Sequence, residues 1–287
     1  MNVDISGIVA EWLSDMIVDL ETRIGEVESI VGANIYSGTI AGRTNVFSNA
    51  ISYGHNSCLN VATALCAVIF LIEFLKITVK MDVLKIEFLF SALFKLCVAR
   101  LAISVGAQFL GALTATSAEL VRSINIYDDS SATLSVMQTN ITAVCDDLNL
   151  FEAIGLLGTM LIPMISIKII GMIGVVLAWG RLLELTVYHI VFPLPCAALC
   201  LDHASITRKF MLSYFSVGLQ GVFMMLSIKL FKMWVVNDLA SIINGLGSAS
   251  TPYEEVSKMG FGLFLACLIM IVTMMKSGQW AQKLCGV

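Results

Sequence analysis

From Leu148 to Cys200 the chain runs for fifty-three residues with only four charges, Glu152, Lys168, Arg181 and Glu184. Wound as a single helix, that run would be about 80 Å long at about 1.5 Å per residue. The hydrocarbon core of a bilayer is only about 30 Å thick. The run is therefore too long for one simple crossing and too apolar for the surface of a soluble domain. Near its close stands Phe192-Pro193-Leu194-Pro195, a sequence that interrupts a helix. The feature places the chain in a membrane and requires it to keep a few ionised groups there.

The rest of the composition agrees. Hydrophobic residues make up 58% of the chain and charged residues 13%, with a mean hydropathy of +0.89. Soluble domains carry about 25% charged residues. Four prolines in 287 residues leave room for long helices. A transmembrane barrel would show alternating segments of about ten residues, whereas the apolar runs here are continuous. The expected fold is all-α, a polytopic helical integral membrane protein. The first thirty residues hold seven acids and one arginine, unlike the basic start of a cleavable leader, so the spans themselves are expected to direct insertion.

Eight cysteines do not form a disulfide framework. Cys66, Cys97, Cys196, Cys200 and Cys267 lie in apolar segments, where a thiol serves as a small hydrophobe. Cys196 and Cys200 are four apart, on one helix face. Without a C-x-x-C pair or a histidine array, no metal site is expected. Cys58 and Cys145 are candidates to face an external compartment.

Residues 4–30 have the spacing of an amphipathic helix. Ile8, Val9, Trp12, Leu13, Met16, Ile17, Leu20, Ile24 and Val27 recur at three- and four-residue steps, with Asp15, Asp19 and Glu26 on the opposite face. Helices that lie on lipid carry Lys and Arg on the polar face. An acidic face is better suited to docking on protein, including a second copy of the chain. Residues 32–52, rich in Gly, Ser, Asn and Thr, read as a loop. The chain thus divides into an extracytoplasmic amphipathic helix and loop at 1–56 and a helical transmembrane domain at 57–287.

Crossings are expected near Asn60–Val79, Leu96–Ala115, within the long run, near Phe210–Leu230 and near Gly260–Met275. Basic residues cluster at Lys76–Lys95, Arg208–Lys209 and Lys276–Lys283; acidic ones populate the N-terminus and residues 116–150. Basic loops stay in the cytoplasm. That gives an external N-terminus, a cytoplasmic C-terminus and about five crossings, with Arg181–Cys200 left as an intramembrane or re-entrant helix broken at Pro193 and Pro195. Lys229 and Lys232 sit near the presumed outer end and run against this topology. Arg100, one turn inside the second crossing, can snorkel to the interface.

No catalytic set is present: no G-x-S-x-G, no H-E-x-x-H and no phosphate-binding Gly-rich loop. His55, His189 and His203 are scattered. Neither catalytic residues, cofactors nor metals are expected. Arg181 and Glu184 are the informative charges. They are three residues apart, with Tyr188 four beyond Glu184, and ionisable groups at membrane depth are functional candidates by default. Two roles are open, an ion pair locking neighbouring helices and a lining for a polar pathway. Glycines at 106 and 111, 155 and 158, 171 and 174, and 218 and 221 permit close helix approach.

The stretch Trp179-Gly180-Arg181-Leu182-Leu183-Glu184-Leu185-Thr186-Val187-Tyr188, running into Phe192-Pro193-Leu194-Pro195-Cys196-Ala197-Ala198, resembles the Arg-x-x-Glu…Pro-x-Pro segment of the TrbL-like family. These are polytopic inner-membrane subunits of conjugative type IV secretion systems. Tyr214-Phe215-Ser216-Val217-Gly218-Leu219-Gln220-Gly221 is similar to the family's aromatic and Gly-x-Gln-Gly crossing, and Met275-Lys276-Ser277-Gly278-Gln279-Trp280-Ala281 to its closing Lys-Ser-Gly-x-x-Ala.

The resemblance implies a homo-oligomeric platform in the bacterial cytoplasmic membrane. It would work beside other secretion subunits, including cytoplasmic ATPases, and support export of single-stranded DNA with its attached protein. It implies no enzymatic activity. Its other partner is membrane lipid. Arg181, Glu184, Tyr188, Pro193, Pro195, Gln220 and Arg100 are then the candidate structural or pathway residues. Clustered Arg and Lys of a strong phosphate tracker are missing apart from Lys76–Lys95 with Arg100, which serve equally as topology signals or as a collar for substrate or an ATPase. The alternatives are a small-molecule or ion transporter subunit, which the proline break suits but the lack of an internal repeat does not, and a non-conducting scaffold or exclusion protein.

Overall fold

The computed structural model describes residues 5–80, 86–125, 150–200, 205–245 and 252–286. Asp128, Asp129, Asp146, Asp147, Cys145, Asp82, Lys85 and His203 lie outside the described residues.

The fold is all-α. Helix α1 covers Ile5–Val31; a minimal hairpin pairs β1 (Thr39–Ile40) with β2 (Arg43–Thr44); α2 covers Phe47–Lys80 and α3 Ile86–Asn125. Helix α4 runs Leu150–Val191, the short α5 Pro193–Ala197 continues into a 3-10 turn at Ala198–Cys200, and α6 (Ser205–Gly245) and α7 (Pro252–Cys285) follow.

Among the described residues, five segments are long and apolar enough to cross a membrane: Phe47–Lys76, Phe90–Ile124, Gly158–Cys200, Ser205–Val235 and Gly260–Cys285. Five crossings were expected, but the helices that carry them are longer than the spans read from hydropathy. The 42 residues of α4 rise about 63 Å, twice what a bilayer core requires. Arg181–Val191 belongs to this same continuous helix instead of starting a separate segment, and the interruption falls at Phe192. There Pro193 takes the first position of α5, where its missing N–H costs nothing and its fixed φ suits a helix start.

The described chain forms two compact units. The first comprises residues 1–32, 121–179 and 222–277, the second 33–120, 180–221 and 278–287. In the first unit α1 buries Ala10, Met16, Ile17, Leu20, Ile24, Val27 and Val31. Ile8 and Trp12, expected on this face, are exposed instead. At about 100° per residue they fall beside Asp15, outside the arc that packing covers. Helix α1 lies along α4, with Gly171 beneath the stem of Arg23 and Gly174 against Val27. Glu28 Oε1 holds two cations of α6, Lys229 Nζ at 3.3 Å and Lys232 Nζ at 2.8 Å, all about nine-tenths buried. The two lysines that ran against the topology thus sit in an ion-pair site.

The second unit begins with the segment read as a loop. It contains the hairpin, and α2 starts at Phe47 instead of near residue 60. One residue organises the turn. Buried Asn45 donates from Nδ2 to the carbonyls of Ile35 (2.7 Å) and Ser37 (2.6 Å), and its Oδ1 accepts from Phe47 N (2.9 Å), capping α2. Ala41 and Gly42 both take positive φ (48° and 73°), as a two-residue hairpin turn with the native strand twist demands.

Candidate functional site

Arg181 lies in the second unit on α4 and is 3% exposed. It does not pair with Glu184. Its Nε donates to Val217 O (3.1 Å) and its Nη2 to Gly218 O (3.2 Å), both on α6. A helical carbonyl keeps a second lone pair after its own i+4 bond, so α6 binds the cation without unwinding. Space for the guanidinium comes from Gly221, whose absent side chain leaves the volume that Arg181 fills.

Arg181 and Glu184 part for a geometric reason. Residues three apart differ by about 60° around a helix axis. Arg181 falls just inside the packed arc and Glu184 just outside it, exposed between Leu183 and Val187.

Below this anchor the aromatic residues interlock. Tyr188 meets Phe210 edge-on (centroids 5.2 Å) and Tyr214 (6.3 Å). Buried Tyr214 donates its hydroxyl to Leu110 O on α3 (3.1 Å). Phe192 packs against Phe210 and projects onto Gly106, which no larger residue could replace without moving the ring. Pro193 is buried, and Pro195 offers its carbonyl to the Thr207 hydroxyl (2.6 Å), tying α5 to the start of α6. Gln220 lies against Gly278 of α7. Arg100 is exposed and donates to Thr63 Oγ1 (2.7 Å), bridging α3 to α2. Six of the seven candidates therefore contribute to packing within this unit, and Glu184 alone points away from it.

Three juxtapositions were not foreseen. His189, fully buried, shares a hydrogen bond with the Tyr36 hydroxyl at Nε2 (2.6 Å), and His55 Nδ1 approaches its carbonyl (3.4 Å). Burial pushes the Tyr36 phenol up to about 12, so it stays protonated. Cys66 Sγ and Cys200 Sγ stand 3.0 Å apart, both buried. The Glu28 site in the first unit is the third. Each joins residues far apart in sequence, and no local spacing announces them. Among the described residues no group of three or more His, Cys, Asp or Glu is placed to hold a metal.

A family model described as TrbL/VirB6 plasmid conjugal transfer-like protein matches residues 25–193, more than half of the chain. The chain belongs to the TrbL/VirB6 family. Comparison with curated proteins and with solved structures gives no match. The match takes in α2, α3, α4 and the Arg181–Glu184–Tyr188 segment, and ends at Pro193. With its five apolar spans, this TrbL/VirB6-family chain is a multi-pass bacterial membrane protein and a membrane subunit of a conjugal transfer, type IV secretion system.

Proposed function

We propose that this TrbL/VirB6-family subunit assembles as a homo-oligomeric platform in the cytoplasmic membrane, its N-terminus outside and its C-terminus inside. Its helices line or frame the route by which single-stranded DNA with attached protein is exported, while partner ATPases supply the energy. The chain contributes no catalysis of its own.

Exposed Glu184 is the observation that carries this reading. It sits within the span Gly158–Cys200, flanked by exposed Leu183 and Val187. A carboxylate facing lipid near the middle of a bilayer costs about 2.5–3.5 kcal/mol even on the mildest scale. A face that keeps one is directed to a water-filled path or to a neighbouring subunit. Arg181 meanwhile holds α4 rigidly to α6, so the carboxylate is presented at a fixed place.

The test is genetic. Deleting the gene should abolish transfer of the element while growth is unchanged, and normal transfer would remove the secretion role. Glu184→Gln should lower transfer frequency with normal protein level, and Glu184→Leu should lower it further. Wild-type transfer by both variants would remove Glu184 from the working face.

A further inference from the structure

We propose that the outer face of α1 in one copy docks on the exposed apolar stripe of α4 in the next copy, with Asp15 and Asp19 paired to Lys168. The inference rests on the oligomeric reading above and assigns its contact surface.

Lys168 poses the problem. It lies on α4 within the span Gly158–Cys200, exposed, in a stripe of exposed Leu161, Ile165, Ile169, Met172 and Val176. Among the described residues it has no hydrogen-bond or ion-pair partner. It lies on the outside of the fold, a lone cation among apolar side chains.

Helix α1 of the same unit carries the complement. Its exposed half presents Ile8, Trp12 and Val18 together with the acids Glu11 and Asp15, and half-exposed Asp19 beside them. That is a mostly apolar surface with carboxylates set in it, facing away from the residues it packs on. Asp19 is held only loosely within the chain, 3.9 Å from Arg23 Nε. Such a face suits neither anionic lipid nor the hydrocarbon core.

Register makes the two surfaces compatible. Arg23 lies at Gly171 and Val27 at Gly174, so α1 and α4 run in the same direction with matched heights. Extrapolating at about 1.5 Å per residue, Lys168 stands level with residue 20, about 2 Å from Asp19 and about 8 Å from Asp15 along the axis. Copies in a ring around the membrane normal are related by rotation alone, so a contact between unlike faces requires both patches at one height. These patches meet that condition. Their charges are opposite, and both surround the charge with apolar side chains that a neighbour would cover.

The test uses the full-length chain in its native membrane. Asp15→Cys with Lys168→Cys, treated with a short bis-maleimide, should give a ladder of cross-linked oligomers that neither single variant nor the wild-type chain gives. Lys168→Glu should weaken the oligomer about tenfold, and adding Asp15→Lys and Asp19→Lys should restore it. Immunoblots and native gels report whether each variant is inserted and assembled. An intact wild-type oligomer with no double-variant ladder, or with Lys168→Glu indistinguishable from wild type, overturns this contact and leaves the oligomeric reading standing. A wild-type chain that is monomeric in the membrane overturns both.

Discussion

The guanidinium of Arg181 fills the space that a side chain on residue 221 would need. One helix thus provides the cation, and the other provides a missing side chain and two carbonyl acceptors, at Val217 and Gly218. Arginine suits this arrangement because its planar fork spans two consecutive carbonyls, which a lysine ammonium cannot do with the same geometry.

Gly221→Ala should therefore displace Arg181. Overpacking and loss of charged hydrogen bonds together predict a destabilisation of about 3 kcal/mol, read as a lower unfolding midpoint in detergent. The companion Arg181→Met removes the group that collides. The double variant should consequently lose less than the sum of the two single changes. Additive losses would show that the two residues do not share the site.

Glu28 sets a second expectation. Its carboxylate sits 2.8 Å from Lys232 and 3.3 Å from Lys229, with all three side chains about nine-tenths buried. Removing one partner of a buried ion pair typically costs about 3–5 kcal/mol, because the remaining charge stays desolvated. Glu28→Gln, nearly isosteric, should bring a loss at the low end of that range in an equilibrium unfolding titration. A loss below about 1 kcal/mol, the worth of an exposed pair, would mean that the site is wet.

The crossings could be read from the sequence because hydropathy is summed over many residues, and no single neighbour can reverse it. Helix ends are set by few atoms. The first crossing was expected from residue 60, yet α2 begins at Phe47, because Asn45 caps it and the hairpin closes just before it. Lys229 and Lys232 looked like topology signals because charge counting cannot see a partner two hundred residues away on α1. Arg181 stood out as an ionisable residue in an apolar run, but its partners are backbone carbonyls, which every residue has and no motif marks. The exposed position of Glu184 followed from helix phase once the packed arc was known.

The Tyr36–His189 bond predicts a pH response. The phenol is held up to about 12 by burial, above its ordinary value near 10. Below pH 10 it is protonated in both the folded and the unfolded chain, and stability is independent of it. Between about pH 10 and 12 only the unfolded chain releases the proton, so stability should fall as pH rises through this window. Tyr36→Phe should be less stable than wild type at pH 8, by about 1 kcal/mol for one hydrogen bond. It should also show a smaller decline above pH 10. Parallel curves for the two proteins above pH 10 would show that Tyr36 does not carry the effect.

Cys66 and Cys200 lie on α2 and on the 3-10 turn after α5, with sulfurs 3.0 Å apart. Cys196 is also buried, four residues before Cys200. Spacing alone would have paired Cys196 with Cys200 on a helix face, whereas the 3-10 turn directs Cys200 to α2. Mild oxidation of the membrane-inserted chain with copper(II)–phenanthroline removes two electrons and two protons from the thiol pair. It should yield an intramolecular Cys66–Cys200 disulfide, seen as one linked peptide in a non-reducing digest. Cys66→Ser should abolish that peptide and Cys196→Ser should leave it. Fixing α2 to the turn, across a separation of 134 residues, should then stabilise the oxidised chain against unfolding by up to about 5 kcal/mol. A link from Cys196 to Cys66, or one that survives Cys200→Ser, would place the turn in a different register.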